Sequence, residues 1–448
     1  MERTLIGDLK DHVGKDVKIS GWVTGVRDHG KVAFLVLTDR SASVQAVASS
    51  DYNETALPAA QELGEQCAVE VLGEVKERPE KMRRDEVNGD VEFGIKEITV
   101  LSKAQELPFD MSAELNLDTH LDNLPLTLRT DKTKAIFKVQ SEILKAYRSY
   151  LSDNGFTEFQ SPKIVGDDAE GGANTFSFDY FGDKKAHLAT SPQLYKQIMV
   201  GVYERVFSTG NVFRAEKHST SRHLNEYTSM DLEMGFIKDY RDVANLVSDL
   251  MRNIVEHLKA TCEAEFKLLE AELPLAPKEF PMMKLVEAQE LIKKETGEDN
   301  VGEPDLEPEH ERWLCEYAKE NLGSDFVYVT HYPTSKRPMY TFEDPETPGF
   351  TGSFDLLFKG VEIISGGQRR HDYDNLIEGI KAKGLDPEKF SYYLQAFKYG
   401  MPPHGGIGMG LERLTAKFLN IANVKEATLF PRDMNRIDTL LHDNNTDQ

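Results

Sequence analysis

Two arginines flank a polar loop near the middle of the chain, and this arrangement can hold phosphate. Arg214 ends one apolar segment, and the loop that follows contains Arg222-His223-Leu224-Asn225-Glu226. If Tyr227 begins a strand, Asp231 and Glu233 lie on one face, because side chains alternate along a strand. The planar guanidinium matches two phosphate oxygens, so the two arginines could hold two phosphates of a nucleotide. Taken alone, the hairpin is also compatible with a salt-bridged surface turn.

A second segment combines an acidic residue, a hydroxyl group and several glycines. Its sequence is Gly360-Val361-Glu362-Ile363-Ile364-Ser365-Gly366-Gly367-Gln368-Arg369. The apolar residues predict a strand that carries Glu362, and the glycines would let the backbone approach a ligand closely. Glu362 and Ser365 could share a hard cation such as Mg²⁺, which prefers oxygen ligands. A strand that ends in a glycine turn is the alternative.

A third segment runs from a glycine-rich strand into a helix. It reads Gly405-Gly406-Ile407-Gly408-Met409-Gly410-Leu411-Glu412-Arg413. A helix N-terminus offers free N–H groups to an anion, and Arg413 adds a full positive charge. The chain has neither a Walker-type phosphate loop nor a dinucleotide fingerprint. A nucleotide would therefore have to be bound by another route.

The composition is that of an ordinary globular protein with an excess of acidic residues. The 448 residues include 53 Lys+Arg and 76 Asp+Glu, which gives a formal charge of −23. This length predicts two or three domains, and any nucleic-acid contact must use a local basic surface. The widely spaced Cys67, Cys262 and Cys315 exclude a disulfide framework and a cysteine zinc site. Since the sequence has no apolar run of ~20 residues and no signal-peptide pattern, we expect a cytoplasmic protein with no membrane partner.

The first hundred residues predict a β domain. Alternating apolar residues indicate five short strands, and a helical stretch covers Ala56–Leu63. The predicted strands are Asp16–Val23, Lys31–Thr38, Ser43–Ala48, Ala68–Val75 and Val91–Leu101. This pattern fits a Greek-key barrel of the oligonucleotide-binding kind, the OB-fold, over residues 1–105. A generic five-stranded domain is the alternative, and residues 106–130 are interpreted as a linker.

The rest of the chain predicts an α+β domain over residues 131–438. A helical pattern covers Asp131–Asn154, and apolar strands then alternate with helices. Because the insertions between strands are uneven, a mixed, mainly antiparallel sheet flanked by helices is favoured over a parallel one. Residues 263–325 are charged and irregular and are interpreted as an insertion, and residues 439–448 as a polar tail.

Taken in order, the three segments resemble the second and third signature motifs of class II aminoacyl-tRNA synthetases. The helix Asp131–Asn154 and its continuation to Pro162 resemble the first, dimer-forming motif, and the barrel is similar to the family's anticodon-binding domain. The resemblance implies a homodimer that uses ATP, Mg²⁺ and tRNA. A non-catalytic RNA-binding relative is an alternative, which the presence of Arg214, Glu362 and Arg413 opposes. An amide-forming relative would normally lack the barrel.

Within this class the sequence is most similar to aspartyl-tRNA synthetases of the archaeal and eukaryotic type. The similar stretches are Glu170-Gly171-Gly172, Ser191-Pro192-Gln193-Leu194-Tyr195-Lys196-Gln197, Arg222–Glu226, and Ser365–Arg369 with His371. The resemblance implies that Lys196 and Arg369 hold the β-carboxylate of aspartate. Two cations facing the neutral amide of asparagine would be left uncompensated, at a cost of several kcal/mol. Asparaginyl-tRNA synthetase, which shares the motifs, is the alternative, and without this context Lys196 would be a surface lysine.

The resemblance also implies roles for individual residues. Arg214 and Arg413 are the expected catalytic residues, because they would neutralise charge that develops on phosphate. Aspartate is expected to contact Glu170, Gln193, Lys196, Arg214, Ser365 and Arg369. ATP is expected to contact Arg214, Glu216, Arg222, His223, Leu224, Tyr227, Glu362, Gly410, Leu411, Glu412 and Arg413. Mg²⁺ is expected to bind Glu362, Ser365 and Asp355.

The barrel residues implied in anticodon binding are Arg27, Phe34 and Gln45. Phe34 would stack on a base, although a place in the barrel core is an alternative for it. At Thr24 the sequence departs from the bulky residue of archaeal-type enzymes that are strictly specific for tRNA-Asp. His29 resembles the residue found in enzymes with relaxed tRNA specificity. The sequence therefore favours charging of tRNA-Asn as well as tRNA-Asp.

Overall fold

The computed structural model describes residues 1–50, 54–85, 87–166 and 174–441. The chain forms two units, Met1–Ala113 and Glu114–Gln448, and the boundary lies within the segment interpreted as a linker. That segment contains two short helices, and Asn116 caps the first by accepting a hydrogen bond from Thr119 N. Within the described ranges, no helix has the length and the apolar character to cross a membrane.

The first unit is built on a closed five-stranded barrel. Its strands follow the order β1-β2-β3-β5-β4, and β1 also pairs with β4. Ala33, Leu35 and Leu37 point inward, whereas Val32, Phe34 and Val36 between them are half-exposed. The elements are β1 (Asp16–Asp28), β2 (Val32–Thr38), β3 (Ser43–Ser49), α1 (Ala56–Gln61), β4 (Ala68–Glu77) and β5 (Val91–Ser102), with 3₁₀ helices at Ile6–His12 and Glu80–Met82. The predicted barrel is confirmed.

The second unit is built on an eight-stranded mixed sheet in the order β12-β13-β14-β15-β16-β11-β10-β6. A second, separate sheet has three strands in the order β7-β9-β8. The strands are β6 (Thr157–Glu158), β7 (Ile164–Val165), β8 (Ser177–Asp179), β9 (Lys185–Leu188), β10 (Arg205–Phe213), β11 (Glu226–Gly235), β12 (Met282–Lys284), β13 (Phe326–Thr330), β14 (Ser353–Phe358), β15 (Val361–Gln368) and β16 (His404–Gly410). In the eight-stranded sheet the two outermost pairs, β12 with β13 and β6 with β10, are parallel, and the other pairs are antiparallel. The predicted mixed, mainly antiparallel sheet is therefore confirmed.

Helices cover the large sheet. The apolar sides of α4 and α6 supply Ile136, Val139, Val243 and Val247 to the main core, as expected for helices that bury one face. The helices are α2 (Leu117–Asp122), α3 (Leu124–Thr127), α4 (Asp131–Asp153), α5 (Gln193–Tyr203), α6 (Tyr240–Thr261), α7 (Glu263–Leu268), α8 (Leu285–Thr296), α9 (Pro308–Leu322), α10 (Tyr373–Ala382), α11 (Ser391–Lys398) and α12 (Leu411–Phe418), with 3₁₀ helices at Pro387–Phe390 and Val424–Ala427.

The segment 263–325, which we interpreted as irregular, is largely ordered secondary structure. It contains α7, α8 and α9, and its strand β12 extends the main sheet by pairing with β13. Leu285, Ala288 and Ile292 are buried at helical spacing along α8. The many charged residues between these positions obscured the apolar stripe in the sequence.

Candidate active site

One cavity of about 410 Å³ lies between the β10–β11 hairpin, β15 and the junction of β16 with α12. Most of the residues that the sequence indicated reach its wall. They are Gln193, Arg214, Glu216, Arg222, His223, Leu224, Tyr227, Glu362, Ser365, Arg369, Gly410, Glu412 and Arg413. Lys196, Asp355 and Leu411 do not line the cavity, and Glu170 falls outside the described residues. The side chain of Leu411 is 3 % exposed and belongs to the core, and a contact of Leu411 with ATP stays a prediction.

The hairpin presents its two arginines to the cavity. Phe213, the last residue of β10, pairs with Glu226, the first residue of β11, and Arg214 N then donates to the Asn225 carbonyl at 2.9 Å. This bond closes the loop, so the Arg214 side chain leaves from a fixed backbone position. Its guanidinium carbon lies 5.8 Å from the centre of the Tyr227 ring. The hairpin is therefore part of a cavity wall, and residues 217–222 of its loop are exposed.

The glycines of the second and third segments bring strands together. Gly366 lies within β15 and not in a turn, and it faces Ile407 of β16. A Cβ at Gly366 would meet the Gly406 carbonyl at 2.7 Å, closer than side chains approach. A Cβ at Gly406 would overlap the Glu233 carboxylate. At these two positions glycine leaves room for a neighbouring strand and for a buried carboxylate. Since Gly366 also lines the cavity, a close approach of a ligand to the glycine backbone stays a prediction.

Lys196 and Arg369 converge on Glu233 of β11. Lys196 Nζ lies 2.9 Å from Asp231 Oδ2 and 3.4 Å from Glu233 Oε2, and it donates to a backbone carbonyl of β16 at 2.8 Å. Arg369 Nε donates to Glu233 Oε1 at 2.8 Å. The side chains of Lys196 and Glu233 are 1 % and 0 % exposed. These two cations and two carboxylates form one buried four-charge cluster with no net charge.

The four-charge cluster changes the argument for aspartate. We expected both cations to be uncompensated without a substrate carboxylate, and this is wrong because Asp231 and Glu233 already balance them. Burial raises the pKa of Glu233, but Arg369 and Lys196 outweigh burial and hold that pKa below its usual range. Arg369 lines the cavity, and within the described residues its Nη1 makes no hydrogen bond. A direct contact of Lys196 with substrate stays a prediction.

Asp355 and Glu362 place two carboxylates close together on β14 and β15. Burial, then the charge of Asp355, raises the pKa of Glu362 to about 7. Asp355 is 4 % exposed, and its Oδ1 has no hydrogen-bond partner within the described part of the chain. Among those residues, no group of three or more His, Cys, Asp and Glu side chains could hold a metal alone. The pair nevertheless fits Mg²⁺, which commonly takes one or two carboxylates together with substrate phosphates.

Arg337, which no sequence motif indicated, lies beside these carboxylates. Its Nη2 donates to Asp355 Oδ2 at 2.7 Å and its Nη1 donates to Ser365 Oγ at 3.1 Å. The guanidinium carbon also lies 3.9 Å from the centre of the Tyr332 ring. Burial opposes the charge of Arg337, but Asp355 outweighs burial and raises the pKa of the guanidinium. Arg337 follows Ser335-Lys336 in a segment without a strand or glycine pattern, so the sequence carried no signal for it.

Two further carboxylates near the cavity have altered acidity. Burial raises the pKa of Glu412 to about 7, although both oxygens of its carboxylate accept one bifurcated hydrogen bond from Thr228 N at 3.0 Å. Burial, then the charge of Asp355, raises the pKa of Glu311 to about 7, and Arg222 opposes this shift. Glu311 belongs to α9, within the segment interpreted as an insertion, so that segment contributes to the electrostatics of the cavity.

The barrel presents the three predicted anticodon residues on its outer face. Arg27 of β1 lies opposite Phe34 of β2, and Gln45 of β3 lies opposite Val36. Phe34 is half-buried, and the His29 ring meets it edge to face with ring centres 5.8 Å apart. The alternative that Phe34 belongs to the barrel core is therefore wrong.

Known proteins resemble the chain over almost its whole length. Residues 116–434 match the family of class II tRNA synthetases for D, K and N, and residues 17–101 match the OB-fold nucleic acid binding domain. An aspartate–tRNA(Asp/Asn) ligase of Deinococcus radiodurans is 48 % identical, over 98 % of this chain and 99 % of the relative. An aspartate–tRNA(Asp) ligase of Pyrococcus furiosus is 40 % identical, over 95 % of this chain and 96 % of the relative.

The solved structures include an asparaginyl-tRNA synthetase of Pyrococcus horikoshii complexed with asparaginyl-adenylate. It is 32 % identical, with a TM-score of 0.89, over 98 % of this chain and 99 % of that chain. The family match and the full-length identities establish the family, as the motif resemblance predicted. The chain belongs to the class II tRNA synthetases of the D, K and N group and has an N-terminal OB-fold domain.

Proposed function

We propose that the protein joins L-aspartate to tRNA through an aspartyl-adenylate, using ATP. The observation that carries this proposal is the higher identity to relatives named for aspartate than to the solved asparaginyl structure. The fold alone does not distinguish an enzyme for aspartate from an enzyme for asparagine, because the asparaginyl-tRNA synthetase structure has nearly the same fold. The cavity supports adenylation, since Arg214, Arg222 and Arg413 surround one space.

In the first step, the α-carboxylate of aspartate attacks the α-phosphorus of ATP and pyrophosphate leaves. Arg214 and Arg413 would neutralise charge on the phosphates, and the fixed hairpin would hold the reactants in line. In the second step, the 3′-terminal hydroxyl group of tRNA attacks the adenylate. No protein base is assigned, because a substrate phosphate oxygen can accept the proton.

The test is pyrophosphate exchange with aspartate and asparagine, measured side by side. Aspartate should drive the exchange of labelled pyrophosphate into ATP, and asparagine should not. If asparagine is the better substrate, the protein is an asparaginyl enzyme on the same scaffold. If neither amino acid supports exchange, the non-catalytic alternative is favoured.

We propose that Asp355, Glu362 and Ser365 hold Mg²⁺, which would supply positive charge to the phosphates of ATP. Replacing Asp355 with asparagine should raise the Mg²⁺ concentration for half-maximal exchange by about 10-fold or more. The reason is that one of two neighbouring carboxylates is removed. Mg²⁺ binding measured by calorimetry, without substrates, should weaken in parallel. Asp305→Asn is the control, because Asp305 pairs with Lys336 at 3.8 Å and neither residue lines the cavity. If Asp305→Asn and Asp355→Asn weakened Mg²⁺ binding equally, the assignment of Asp355 to the metal would be contradicted.

We propose that both tRNA-Asp and tRNA-Asn are charged with aspartate. His29 supports this proposal because it packs on Phe34, beside the face that would meet the anticodon. Thr24 leaves that face without a bulky side chain, and its hydroxyl is 2.8 Å from that of Thr38. Purified enzyme should aspartylate both tRNAs, and failure to charge tRNA-Asn would show strict specificity.

Phe34 should contribute to tRNA binding by stacking on an anticodon base. Phe34→Ala should raise the KM for tRNA in aminoacylation by about 5- to 150-fold, the equivalent of 1–3 kcal/mol. Pyrophosphate exchange should not change, because this partial reaction does not need the anticodon. Phe34→Tyr, which keeps the ring, is the matched control, and a normal KM for the alanine variant would refute the role.

We also propose a cytoplasmic homodimer, because α4 resembles the dimer-forming motif of the family. Cys67, Cys262 and Cys315 are free and buried, which suits a reducing compartment. Analytical ultracentrifugation of the purified protein would test the dimer directly.

A further inference from the structure

Gln193, a wall residue of the cavity, is the end of a chain of buried hydrogen bonds. Its Nε2 donates to Gln197 Oε1 at 2.9 Å, and Tyr393 OH donates to the same oxygen at 3.1 Å. Gln197 Nε2 lies 3.0 Å from His404 Nε2, and His404 Nδ1 lies 2.8 Å from the Pro402 carbonyl. Gln197 and His404 are both 0 % exposed.

The Pro402 carbonyl, at the far end of this series of hydrogen bonds, determines the position of every hydrogen in the series. The Pro402 carbonyl can only accept, so His404 Nδ1 carries the hydrogen. Burial lowers the pKa of His404 to about 4, so the ring is neutral at pH 7 and its Nε2 accepts from Gln197. Gln197 Oε1 therefore faces Gln193 and accepts from Gln193 Nε2. The remaining polar atom of the Gln193 carboxamide, Oε1, is then available to the cavity as an acceptor.

The charged and titratable groups around His404 come from three elements. Glu233 on β11 favours a protonated ring, whereas Arg369 and His371, which both follow the end of β15, oppose it. Tyr393 of α11 belongs to the hydrogen-bond chain itself. The His404 carbonyl also accepts from Arg369 N at 2.8 Å. The same residue thus holds the backbone of Arg369 and, through Gln197, the amide of Gln193.

We propose that Gln197 and His404 are positioning residues that fix the Gln193 carboxamide with its oxygen toward the cavity, where it accepts a hydrogen bond from the α-ammonium group of the amino acid. The inference rests on the proposed function, since it requires an amino acid in this cavity. An inverted Gln193 amide would present its NH₂ group to the ammonium. That contact would lose a hydrogen bond and bring two donors together.

The test is Gln197→Glu, which keeps the size of the side chain and the oxygen that accepts from Gln193. A carboxylate has no hydrogen to give to His404 Nε2, so the network can persist only while His404 is protonated. We expect the KM for aspartate in exchange to rise about 10- to 100-fold as the pH rises from 6 to 8.5, with a much smaller change in kcat. The wild type should show no such rise.

Two further measurements keep the test decisive if Gln197→Glu does not fold. His404→Gln retains an acceptor for Gln197 and should raise the KM less than His404→Leu. In the wild type, long-range ¹H–¹⁵N NMR of labelled histidine should show a neutral His404 with its hydrogen on Nδ1. An imidazolium ring or the Nε2–H form at pH 7 would overturn the proposal.

The matched control is Gln140→Glu. Gln140 is also a buried glutamine, but it donates to the Ala427 carbonyl at 2.7 Å and lies outside the cavity wall. The positioning role would be refuted if the KM of Gln197→Glu for aspartate showed the same pH dependence as that of the wild type. It would also be refuted if Gln140→Glu showed the same rise in KM as Gln197→Glu. Absence of aspartate-dependent exchange in the wild type would refute the proposed function instead.

Discussion

Replacing Arg214 with glutamine should lower kcat for aspartate-dependent pyrophosphate exchange by about 10²–10³-fold, the typical cost of losing one donor aimed at developing charge. Arg214 is half-buried at the cavity wall beside Tyr227, so water replaces its charge poorly. Glutamine keeps a hydrogen-bond donor but has no positive charge. The bond from Arg214 N to the Asn225 carbonyl uses the backbone, so the hairpin should close as before. The measurement is steady-state exchange at saturating ATP and aspartate.

Arg205→Gln provides the control on the same strand. Arg205 begins β10 at the end away from the cavity, and its Nη1 donates to the Asn154 carbonyl at 3.2 Å. This variant should retain kcat. If Arg214→Gln also retained kcat and only the KM for ATP rose, Arg214 would bind ATP equally in the ground state and the transition state, and it would not be a catalytic residue.

Replacing Lys196 with leucine should destabilise the protein by about 3–5 kcal/mol, as expected when one partner of a buried ion pair is removed. Asp231 and Glu233 are 3 % and 0 % exposed, and the variant would leave Arg369 to balance both carboxylates. The four-charge cluster would then carry a net negative charge. Chemical denaturation at pH 7 measures the loss in the free energy of unfolding. Lys196→Leu protein that remains folded should also lose its preference for aspartate over asparagine in pyrophosphate exchange.

The effect of Lys196→Leu should depend on pH in a defined direction. In the wild type the pKa of Glu233 is lowered, so its stabilising contribution is present above the unfolded-state pKa and is lost as the pH falls through the folded-state pKa. Removing Lys196 takes away one cause of this lowering and should raise the pKa of Glu233. A protonated Glu233 is no longer an unbalanced charge. The difference in stability between variant and wild type should therefore shrink between pH 8 and pH 5.

Lys293→Leu is the matched control for Lys196→Leu. Lys293 lies 2.7 Å from Asp299, but both side chains are more than half exposed, and such surface pairs contribute about 0–1 kcal/mol. If Lys196→Leu unfolded at the same denaturant concentration as Lys293→Leu, the four-charge cluster would not stabilise the fold. If it kept its aspartate preference, Lys196 would not contribute to selectivity.

Much of the fold was predictable because local patterns specify it. The apolar residues Val32, Phe34 and Val36 indicated a barrel strand, although in the structure their neighbours Ala33, Leu35 and Leu37 face the core. The helical spacing of Ile136, Val139 and Ile143 indicated α4. The helices within residues 263–325 were missed because charged residues hide their short apolar stripes.

The members of the cavity wall were also largely predictable, because the order of the three segments is specific to the family. Arg337 and Glu311 could not be predicted in the same way. Arg337 donates to Asp355 from a loop, and Glu311, on a helix, is near enough for the charge of Asp355 to raise its pKa. Neither segment has a recognisable motif.

The sequence by itself determined which residue types surround the cavity, since motif order and strand alternation are local properties. Only the tertiary structure decided how their charges are balanced. Lys196 meets Asp231 across 35 positions of the chain, and Arg369 meets Glu233 across 136. Such pairs depend on strand register, which brings distant residues together, and on burial, which weakens screening of their charges by water. Neither register nor burial can be read from one short stretch of sequence.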